Sequence, residues 1–377
     1  MRKLGLFILI CCSVVLKTNG QATEIDTRQI GGITTAAPFL LIIPDARSGG
    51  MGDIGVATTG DAFSLFHNPA KIAFHSRQVN FGITYSPWLR NLTDDIFTGS
   101  ASYINRFNEN AAWGADFKYF SLGQIELTDA GGTSTGVINP NEFVFTGSYA
   151  LKLSETFSMG VSLKYLRSNL AFTGVSSTLQ PINSFGVDVS GFYQSEEENY
   201  GTFNGKYRLG FNIANLGPKV SYVPGSEDFI PTNLKLGGGF DFIIDDYNTI
   251  TTTLEFTKLL VPTPQVDGSE EDITWISGVF SSFGDAPDGF SEELKEFTYA
   301  FGAEYLYNNA FALRSGYFHE SEDKGNRQYF TMGAGFKTNA LNIDLSYLIN
   351  ASDVNNPLEN TLRFSVSFDL GEIYDDY

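Results

Sequence analysis

The chain has 377 residues, with 24 Lys and Arg against 43 Asp and Glu and a net charge of −19 at pH 7. This acidic balance argues against a nucleic-acid partner, because phosphate binding needs a basic surface. A mean hydropathy of −0.08 excludes a bundle of membrane-spanning helices, and three His with two Cys leave little material for a transition-metal site. The 33 Phe and 18 Tyr, with only 18% charged residues, instead suit strands that face lipid on one side.

Residues 1–20 have the pattern of a secretory signal peptide. A basic pair precedes an apolar run that is too short to span a bilayer, and the small residue Gly20 stands at the expected cleavage point. A lipoprotein signal is the alternative, since Cys11 lies in the apolar run, but Ile10 stands where such signals carry a small residue. Cleavage after Gly20 would remove both cysteines and three basic residues, which leaves the mature chain without a thiol and with a net charge of −22.

From residue 78 onward, apolar residues recur with a period of two, which predicts β-strands rather than helices. In the first such segment, Val79, Phe81, Ile83 and Tyr85 alternate with polar or small residues. The pattern repeats in about fourteen segments of about ten residues each, which is the length of a tilted transmembrane strand.

The connections between these segments alternate in length. Short turns such as 108–110 are followed by longer polar segments such as 121–141, and only the connection 196–205 breaks the rule. Outer-membrane barrels have this arrangement, with short periplasmic turns and long extracellular loops, whereas a soluble β-sandwich has no reason for it. We therefore predict an all-β protein of the bacterial outer membrane. A fourteen-stranded antiparallel transmembrane barrel would span residues 78–370, and 371–377 would form a short C-terminal tail.

The inward-facing positions of the predicted strands are polar or small, as at Asn80, Gly82 and Thr84. Arg314 and Glu304 stand on neighbouring strands at positions that would let them pair inside the lumen. Residues of this kind either fill the lumen or serve transport, and filling is the simpler interpretation.

The segment 21–77 does not alternate, and five glycines crowd positions 49–60. Such glycine density suits a compact coil better than a membrane strand. The segment lacks the Gly-Lys-Ser/Thr ending of a phosphate loop. Because its length fits the lumen of a fourteen-stranded barrel, we predict a plug, which is either a hatch that controls permeability or a structural filler. The residues assigned to it are Arg47, Gly49, Gly50, Met51, Gly52, Asn68, Pro69 and Ala70.

Several short motifs are similar to one known family. The run from Pro44 to Thr58, the stretch Asn68–Lys71 and the segment Tyr85–Leu92 resemble the PorV family, outer-membrane proteins of the Bacteroidetes type IX secretion system. The Asn-Pro-Ala element is also similar to the wider FadL-like group of fourteen-stranded barrels with an N-terminal hatch. The distinctive motifs cover only about residues 33–93.

The resemblance implies a role in secretion and no reaction. Members of the family bind the C-terminal signal domains of secreted cargo, associate with an SprA-type translocon and deliver the cargo to a PorU-type sortase complex at the surface. The matched motifs carry no catalytic constellation and no cofactor site. We therefore expect a protein that is not an enzyme and that has outer-membrane lipid or lipopolysaccharide around it.

Exposed apolar residues on outer loops would be the contacts for such partners. The residues assigned to partner binding are Trp88, Leu89, Arg90, Trp275, Ile276, Phe280 and Phe283. Each of these two assignments has an alternative. The loop 258–296 could fold over the barrel mouth and bury its own apolar residues. Trp88 and Leu89 could instead be anchors of an aromatic girdle. The acidic residues of this loop could bind Ca²⁺ or bridge lipopolysaccharide, but they lack the spacing of a calcium loop and a solvated segment is the simpler interpretation. These acids are Asp267, Glu270, Glu271 and Asp272.

Two other functions compete with secretion. A FadL-like uptake channel for fatty acids or other hydrophobic compounds would need a continuous apolar path from loop to wall. An outer-membrane enzyme would need a nucleophile with its base, and none is marked near His67, His75 or His319. A porin for small polar solutes is disfavoured by the long segment that precedes the first strand.

Overall fold

The computed structural model describes residues 32–88, 93, 95–129, 131–170, 179–264, 273–352 and 359–374. The expected signal peptide lies outside these residues, as do Leu89, Arg90 and the acids Asp267, Glu270, Glu271 and Asp272. Among the described residues, no helix is both long and apolar enough to cross a lipid bilayer.

Fourteen antiparallel strands of 9 to 13 residues form one sheet that closes on itself. Each strand pairs with the next along the chain, and the last returns to the first, with Leu370 opposite Val79 and Phe364 opposite Tyr85. The predicted all-β, fourteen-stranded barrel is therefore confirmed. The strands are β1 (Arg77–Pro87), β2 (Ile96–Arg106), β3 (Ala111–Leu122), β4 (Asn141–Lys152), β5 (Phe157–Asn169), β6 (Ile182–Gln194), β7 (Asn204–Leu216), β8 (Asn233–Ile243), β9 (Asn248–Leu259), β10 (Phe297–Tyr307), β11 (Phe311–His319), β12 (Gln328–Lys337), β13 (Leu341–Asn350) and β14 (Leu362–Ile373).

The two faces of each strand differ as the period of two predicts. On β1, Asn80 and Gly82 are buried inside the barrel, whereas Phe81 and Ile83 are exposed on its outer face. An outer wall covered by Phe, Leu, Ile and Tyr would be unfavourable in water and is stable in hydrocarbon. The wall therefore has the character of a transmembrane surface.

The barrel has two different ends. At the end with short turns, the longer connection between β6 and β7 contains a two-residue strand, Glu198–Asn199, which pairs with the start of β7 and extends that hairpin. We call this the short-turn end. The opposite end, which we call the long-loop end, carries two small hairpins and two helices. These are the hairpins Ile125–Thr128 with Ser134–Ile138 and Val220–Val223 with Ser226–Asp228, and the helices α2 (Trp275–Ser281) and α3 (Phe290–Lys295).

Residues 32–76, which we call the plug, lie inside the barrel. They contain little regular structure: one turn of α-helix, α1 (Ala46–Gly49), and the 3₁₀ helices Pro38–Leu41, Ser64–Phe66 and Pro69–Phe74. Side chains start two of these turns: the Asp45 carboxylate accepts the Ser48 N–H at 2.8 Å, and Asn68 Oδ1 accepts the Ala70 N–H at 3.0 Å. Such caps hold the short helices without long runs of helix-forming residues.

The plug is bonded to the wall on all sides. Its backbone groups bond to Ser102 on β2, Ser158 on β5, Glu255 on β9, Thr331 on β12 and Ser365 on β14. These bonds satisfy an irregular backbone that has no ladder partners of its own. The described plug begins near Lys324 at the long-loop end. Close to its other end, the His75 carbonyl accepts a hydrogen bond from Arg106 near the short-turn end.

Close approach of the plug requires small residues on the wall. A Cβ added to Gly316 on β11 would overlap the Met51 carbonyl group, and one added to Gly210 on β7 would overlap the Val56 carbonyl oxygen. Glycine at these positions lets backbone pack directly against backbone.

We expect Gly316→Val to unseat the plug, because neither the strand nor the Met51 backbone can move without breaking hydrogen bonds. Overpacking of this kind costs about 1–3 kcal/mol or more. The measurement is the unfolding temperature of the purified barrel, read from heat-modifiable mobility on gels. Ser315→Val is the matched control, since Ser315 directly precedes Gly316 in the same strand and is exposed on the outer face. Equal stability of the two variants would contradict the close packing.

Candidate functional site: the plug and an apolar loop surface

Buried ion pairs hold the middle of the plug to the wall. Arg47 on α1 lies between Asp61 of the plug, at 2.8 Å, and Glu304 of β10, at 3.0 Å. Glu304 also accepts a bond from Arg314 of β11 at 2.6 Å, which confirms the predicted pairing, and Arg314 reaches Asp344 of β13 at 2.7 Å. Each charged group in this series of ion pairs has an oppositely charged neighbour, which offsets the cost of removing it from water.

A second anchor lies beside the first. Asp53, which follows the glycine-rich turn in a left-handed conformation with φ 66°, forms an ion pair with Arg363 of β14. Its other carboxylate oxygen accepts a hydrogen bond from the Tyr329 hydroxyl at 2.6 Å. On the opposite wall, Arg208 of β7 donates to the Ala57 carbonyl at 3.0 Å. The plug is thus held by charged groups from both sides of the barrel.

The residues assigned to the plug all lie in the lumen. Met51 is buried against β10 and β11, Gly52 has φ 76°, and the Asn68 amide donates to the carbonyls of Val56 and Gly191 at 2.9 and 3.0 Å. The others assigned there are Arg47, Gly49, Gly50, Pro69 and Ala70, and all of these except the half-buried Arg47 are buried.

The plug also contains a buried Asp, His and Ser in contact, but their geometry is not that of a hydrolase. His67 Nε2 lies 2.7 Å from Asp45 Oδ1 and 3.0 Å from Ser48 Oγ, so both partners share one ring nitrogen. A relay needs the acid on one nitrogen and the nucleophile on the other. All three side chains are fully buried, and they serve to fix the fold of the plug.

An apolar cluster lies in the lumen towards the long-loop end. Phe39 and its neighbours Ala36 and Ala37 pack against Val144 and Leu166 of the wall. Lys118 of β3 donates to the carbonyls of Leu40 and Ile42 at 3.1 and 3.0 Å, which satisfies the end of the first 3₁₀ helix. On the same strands, Lys164 of β5 forms an ion pair with Asp188 of β6 at 2.7 Å, so charged groups adjoin the apolar cluster.

At the rim, the described parts of the loop 260–296, which are residues 260–264 and 273–296, fold back over the outer face of the barrel. Lys258 continues the outward series of Leu254 and Phe256 on β9, yet it is buried, because the loop surrounds its ammonium group. Its Nζ lies 2.7 Å from a carboxylate oxygen of Glu293, which belongs to α3, and 2.5 Å from one of Glu296, which directly follows α3. A lysine at the top of a strand thus becomes the anchor of a loop.

A second lysine joins this loop to its neighbour. Lys324, in the loop 320–327, donates to Glu292 at 2.7 Å and to Glu296 at 3.2 Å. Burial alone would lower the pKa of Lys324, but these two carboxylates raise it above its usual value. Burial alone would raise the pKa of Glu292, but the hydrogen bond from Lys324 lowers it. The pair therefore stays charged through neutral pH, and the two loops stay joined.

The two loop helices leave large apolar side chains exposed. Phe280 of α2 and Phe290 of α3 are 75% and 76% exposed. On each helix a second exposed residue stands four positions away, on the same face. We call this set the apolar loop surface: Ile276, Phe280, Phe283, Phe290 and Leu294. Large apolar residues that are exposed outside the barrel strands form a candidate contact surface.

Part of the loop does bury its own apolar residues. Leu260 and Val261 are buried at the base of the loop, and Trp275 is half-buried, whereas Ile276, Phe280 and Phe283 are exposed. The loop thus buries some of its apolar residues itself and leaves others exposed, while the assignment to partner binding stays a prediction. At the first long loop, Trp88 is half-buried with its ring 6.1 Å from that of Phe120.

The same loop holds a group of acids that could be mistaken for a cation site. Carboxylate oxygens of Asp285, Glu293 and Glu296 lie within 4.8 Å of one another. Lys258 already bonds to two of the three, so its ammonium group supplies the positive charge that a metal ion would bring. Burial raises the pKa of Asp285, which further weakens it as a metal ligand. We do not assign a metal to this cluster.

Several contributors escaped the sequence analysis. Phe290 and Leu294 have a spacing of four that could have marked a helix face, but the helix is only 6 residues long. Lys258, Lys324 and Asp53 carried no local signal, because their partners lie in other loops or strands.

Comparison with known proteins gives one family. The profile of the family described as Type IX secretion system protein PorV matches residues 25–266, more than half of the chain. No curated protein sequence matches the chain.

Solved structures share the architecture at low sequence identity. The toluene transporter TodX of Pseudomonas putida has 12% identity and a TM-score of 0.52, over 88% of this chain and 99% of that one. The toluene transporter TbuX of Ralstonia pickettii has 13% identity and a TM-score of 0.47, over 86% and 96%. A Pseudomonas aeruginosa FadL homologue has 11% identity and a TM-score of 0.45, over 90% and 100%. The likeness to TodX shows a shared fold alone.

We expect Arg47→Met to destabilise the folded barrel, because it removes the cation that pairs with the half-buried Asp61 and with the buried Glu304. Breaking a buried pair by removing one partner costs about 3–5 kcal/mol. The measurement is again the unfolding temperature by gel mobility. Lys295→Met is the control, since its pair with Asp323 is largely exposed, and such pairs contribute about 1 kcal/mol or less. Similar shifts for both variants would show that the luminal pair does not anchor the plug.

Proposed function

Because the chain belongs to the PorV family of type IX secretion system proteins, we propose that it is the outer-membrane subunit that receives secreted cargo. In this proposal it binds the C-terminal signal domains of the cargo, associates with an SprA-type translocon and delivers the cargo to a PorU-type attachment complex. It acts through protein contacts and catalyses no reaction. Residues 1–20 are the secretory signal, and the short turns face the periplasm while the long loops face outside.

The observation that carries this proposal is the apolar loop surface. Burying Phe280 and Phe290 against a partner would remove two large aromatic side chains from water, and aromatic anchors of this kind dominate the energy of protein interfaces. The α3 part of the surface is also held in place by the ion pairs of Lys258 and Lys324, which lowers the cost of ordering it when a partner binds.

The state of the lumen supports a protein-binding role over conduction. The plug is tied to the wall by the ion pairs of Arg47 and Asp53 and by backbone hydrogen bonds around the barrel. Moving it as a hatch would break several buried charge pairs at once. In the proposed role the part of the plug around Arg47 and Asp53 is a fixed filler that keeps the outer membrane sealed while the loops engage partners.

A FadL-like transporter of fatty acids or other hydrophobic compounds is the alternative. It requires an apolar route through the interior, and the apolar cluster around Phe39 offers a beginning for one. The ion pair of Lys164 and Asp188, on the same strands as Leu166 and Ile182, argues against its continuation. Purification in mild detergent separates the two ideas: bound cargo and translocon favour secretion, and a lone barrel with bound fatty acid favours uptake.

Deleting the gene should leave proteins with the C-terminal signal domain unexported or unattached at the cell surface. The measurement is surface proteomics of the deletion strain against the same strain carrying the gene on a plasmid. Normal display of those proteins in the deletion strain would rule out the secretion role.

Replacing Phe280 and Phe290 together by Ser should weaken recovery of the translocon with the tagged barrel by about tenfold or more, since each aromatic is an interface anchor. Val137→Ser is the control, because Val137 is 57% exposed on a hairpin of a different long loop. Both variants should keep the gel mobility of a folded barrel. Undiminished recovery with the double variant would exclude this surface as the binding site.

A further inference from the structure

One residue stands between the loop surface and the plug. The Phe229 carbonyl accepts the Ala36 N–H at 2.8 Å, so it is bonded to the first part of the plug. The Phe229 ring packs beneath α2, where a Cβ added to Gly278 would lie 2.8 Å from Phe229 Cε1. The backbone of Phe229 is therefore bonded to the plug, and its ring packs against helix α2 of the loop.

Helix α2 has two opposed faces because of this contact. Gly278 is buried on the ring of Phe229 and on Pro262, whose Cδ would lie 3.1 Å from an added Cβ. Ile276 and Phe280 are exposed on the apolar loop surface. A side chain at position 278 would lift the helix, so the glycine sets the height of the apolar loop surface above the barrel.

The residues that follow Phe229 extend the connection in both directions. Ile230 is buried in the apolar cluster with Ala36 and Phe39 of the plug. The Thr232 carbonyl accepts the Leu260 N–H at 2.8 Å and so holds the start of the loop. Phe229, Ile230 and Thr232, which lie within four consecutive positions, thus contact the plug, the loop or both.

Lys324 makes a second, separate connection. Its side chain bonds to Glu292 and Glu296 at the end of the loop, and its carbonyl oxygen lies 3.8 Å from the position of a Cβ on Gly32, the first described residue of the plug. Helix α2 is therefore in contact with the plug through Phe229, and helix α3 is connected to the plug through Lys324.

From these contacts we infer that helix α2, with loop residues 260–262, and plug residues 36–42 form one coupled unit, with Phe229 as the positioning residue between them. A partner that shifts α2 when it binds the apolar loop surface changes the seat of the plug at the long-loop mouth. Coupling of this kind is reciprocal, so an unseated plug start also changes the affinity of the loop surface. The biological use of the coupling rests on the proposed function, whereas the coupling itself is a property of the barrel alone.

Hydrogen–deuterium exchange of the purified, partner-free barrel tests the coupling directly. Gly278→Val should displace α2 from the Phe229 ring and speed exchange in the peptide that covers residues 33–42 by roughly fivefold or more. Phe280→Ser, on the opposite face of the same helix, should leave exchange in that peptide unchanged. Phe229→Leu is a milder second variant, since it keeps the carbonyl that bonds Ala36 but removes the aromatic support.

Unchanged exchange at 33–42 in folded Gly278→Val and Phe229→Leu barrels, with faster exchange in α2 itself, would overturn the inference. Equal acceleration by Phe280→Ser would also overturn it, because it would show general loosening rather than transmission through Phe229. A failure of the proposed function would appear elsewhere, as a barrel that recovers no translocon while its exchange behaves as described.

Discussion

In lipid, every backbone N–H and C=O of a spanning segment needs a partner inside the protein, and the rest of this structure depends on that requirement. The strands meet it by closing, with β14 hydrogen-bonded to β1. Closure of fourteen strands encloses a wider space than the eight-stranded barrels whose own side chains fill the interior. A separate segment must therefore occupy the lumen if the membrane is to stay sealed, and residues 32–76 do so.

Filling a polar lumen raises a second physical problem, because the plug has little regular structure and many backbone groups to satisfy. Hydroxyls and carboxylates on the wall accept or donate those bonds, as Thr331 and Glu255 do. Arg47 and Asp53 add ion pairs whose charges are matched on both sides. Buried pairs of this type contribute little net stability, but leaving one unmatched is costly, so they favour a single seat for the plug.

The long-loop end follows a different rule. Here Lys258 is enclosed by its own loop, and the same loop presents Phe280 and Phe290 to solvent. A protein that only had to seal a membrane would gain nothing from exposing these side chains. In the proposed function these exposed residues are the contact surface for secretion partners, and the Phe229 contact connects helix α2 physically to the plug.

The sequence by itself determined the barrel, its strand number and the facing of its residues, because lipid and lumen impose a local period of two that any segment reveals. It also indicated the Arg314 and Glu304 pair, since neighbouring strands place such residues side by side. Only the tertiary structure decided that Arg47 joins this pair from 257 positions away, that Lys258 lies under Glu293 and Glu296, and that Trp275 is half-buried while Phe290 is exposed. These contacts depend on how loops and plug fold onto the closed wall. No local pattern records them, because the partners meet only after the strands have closed.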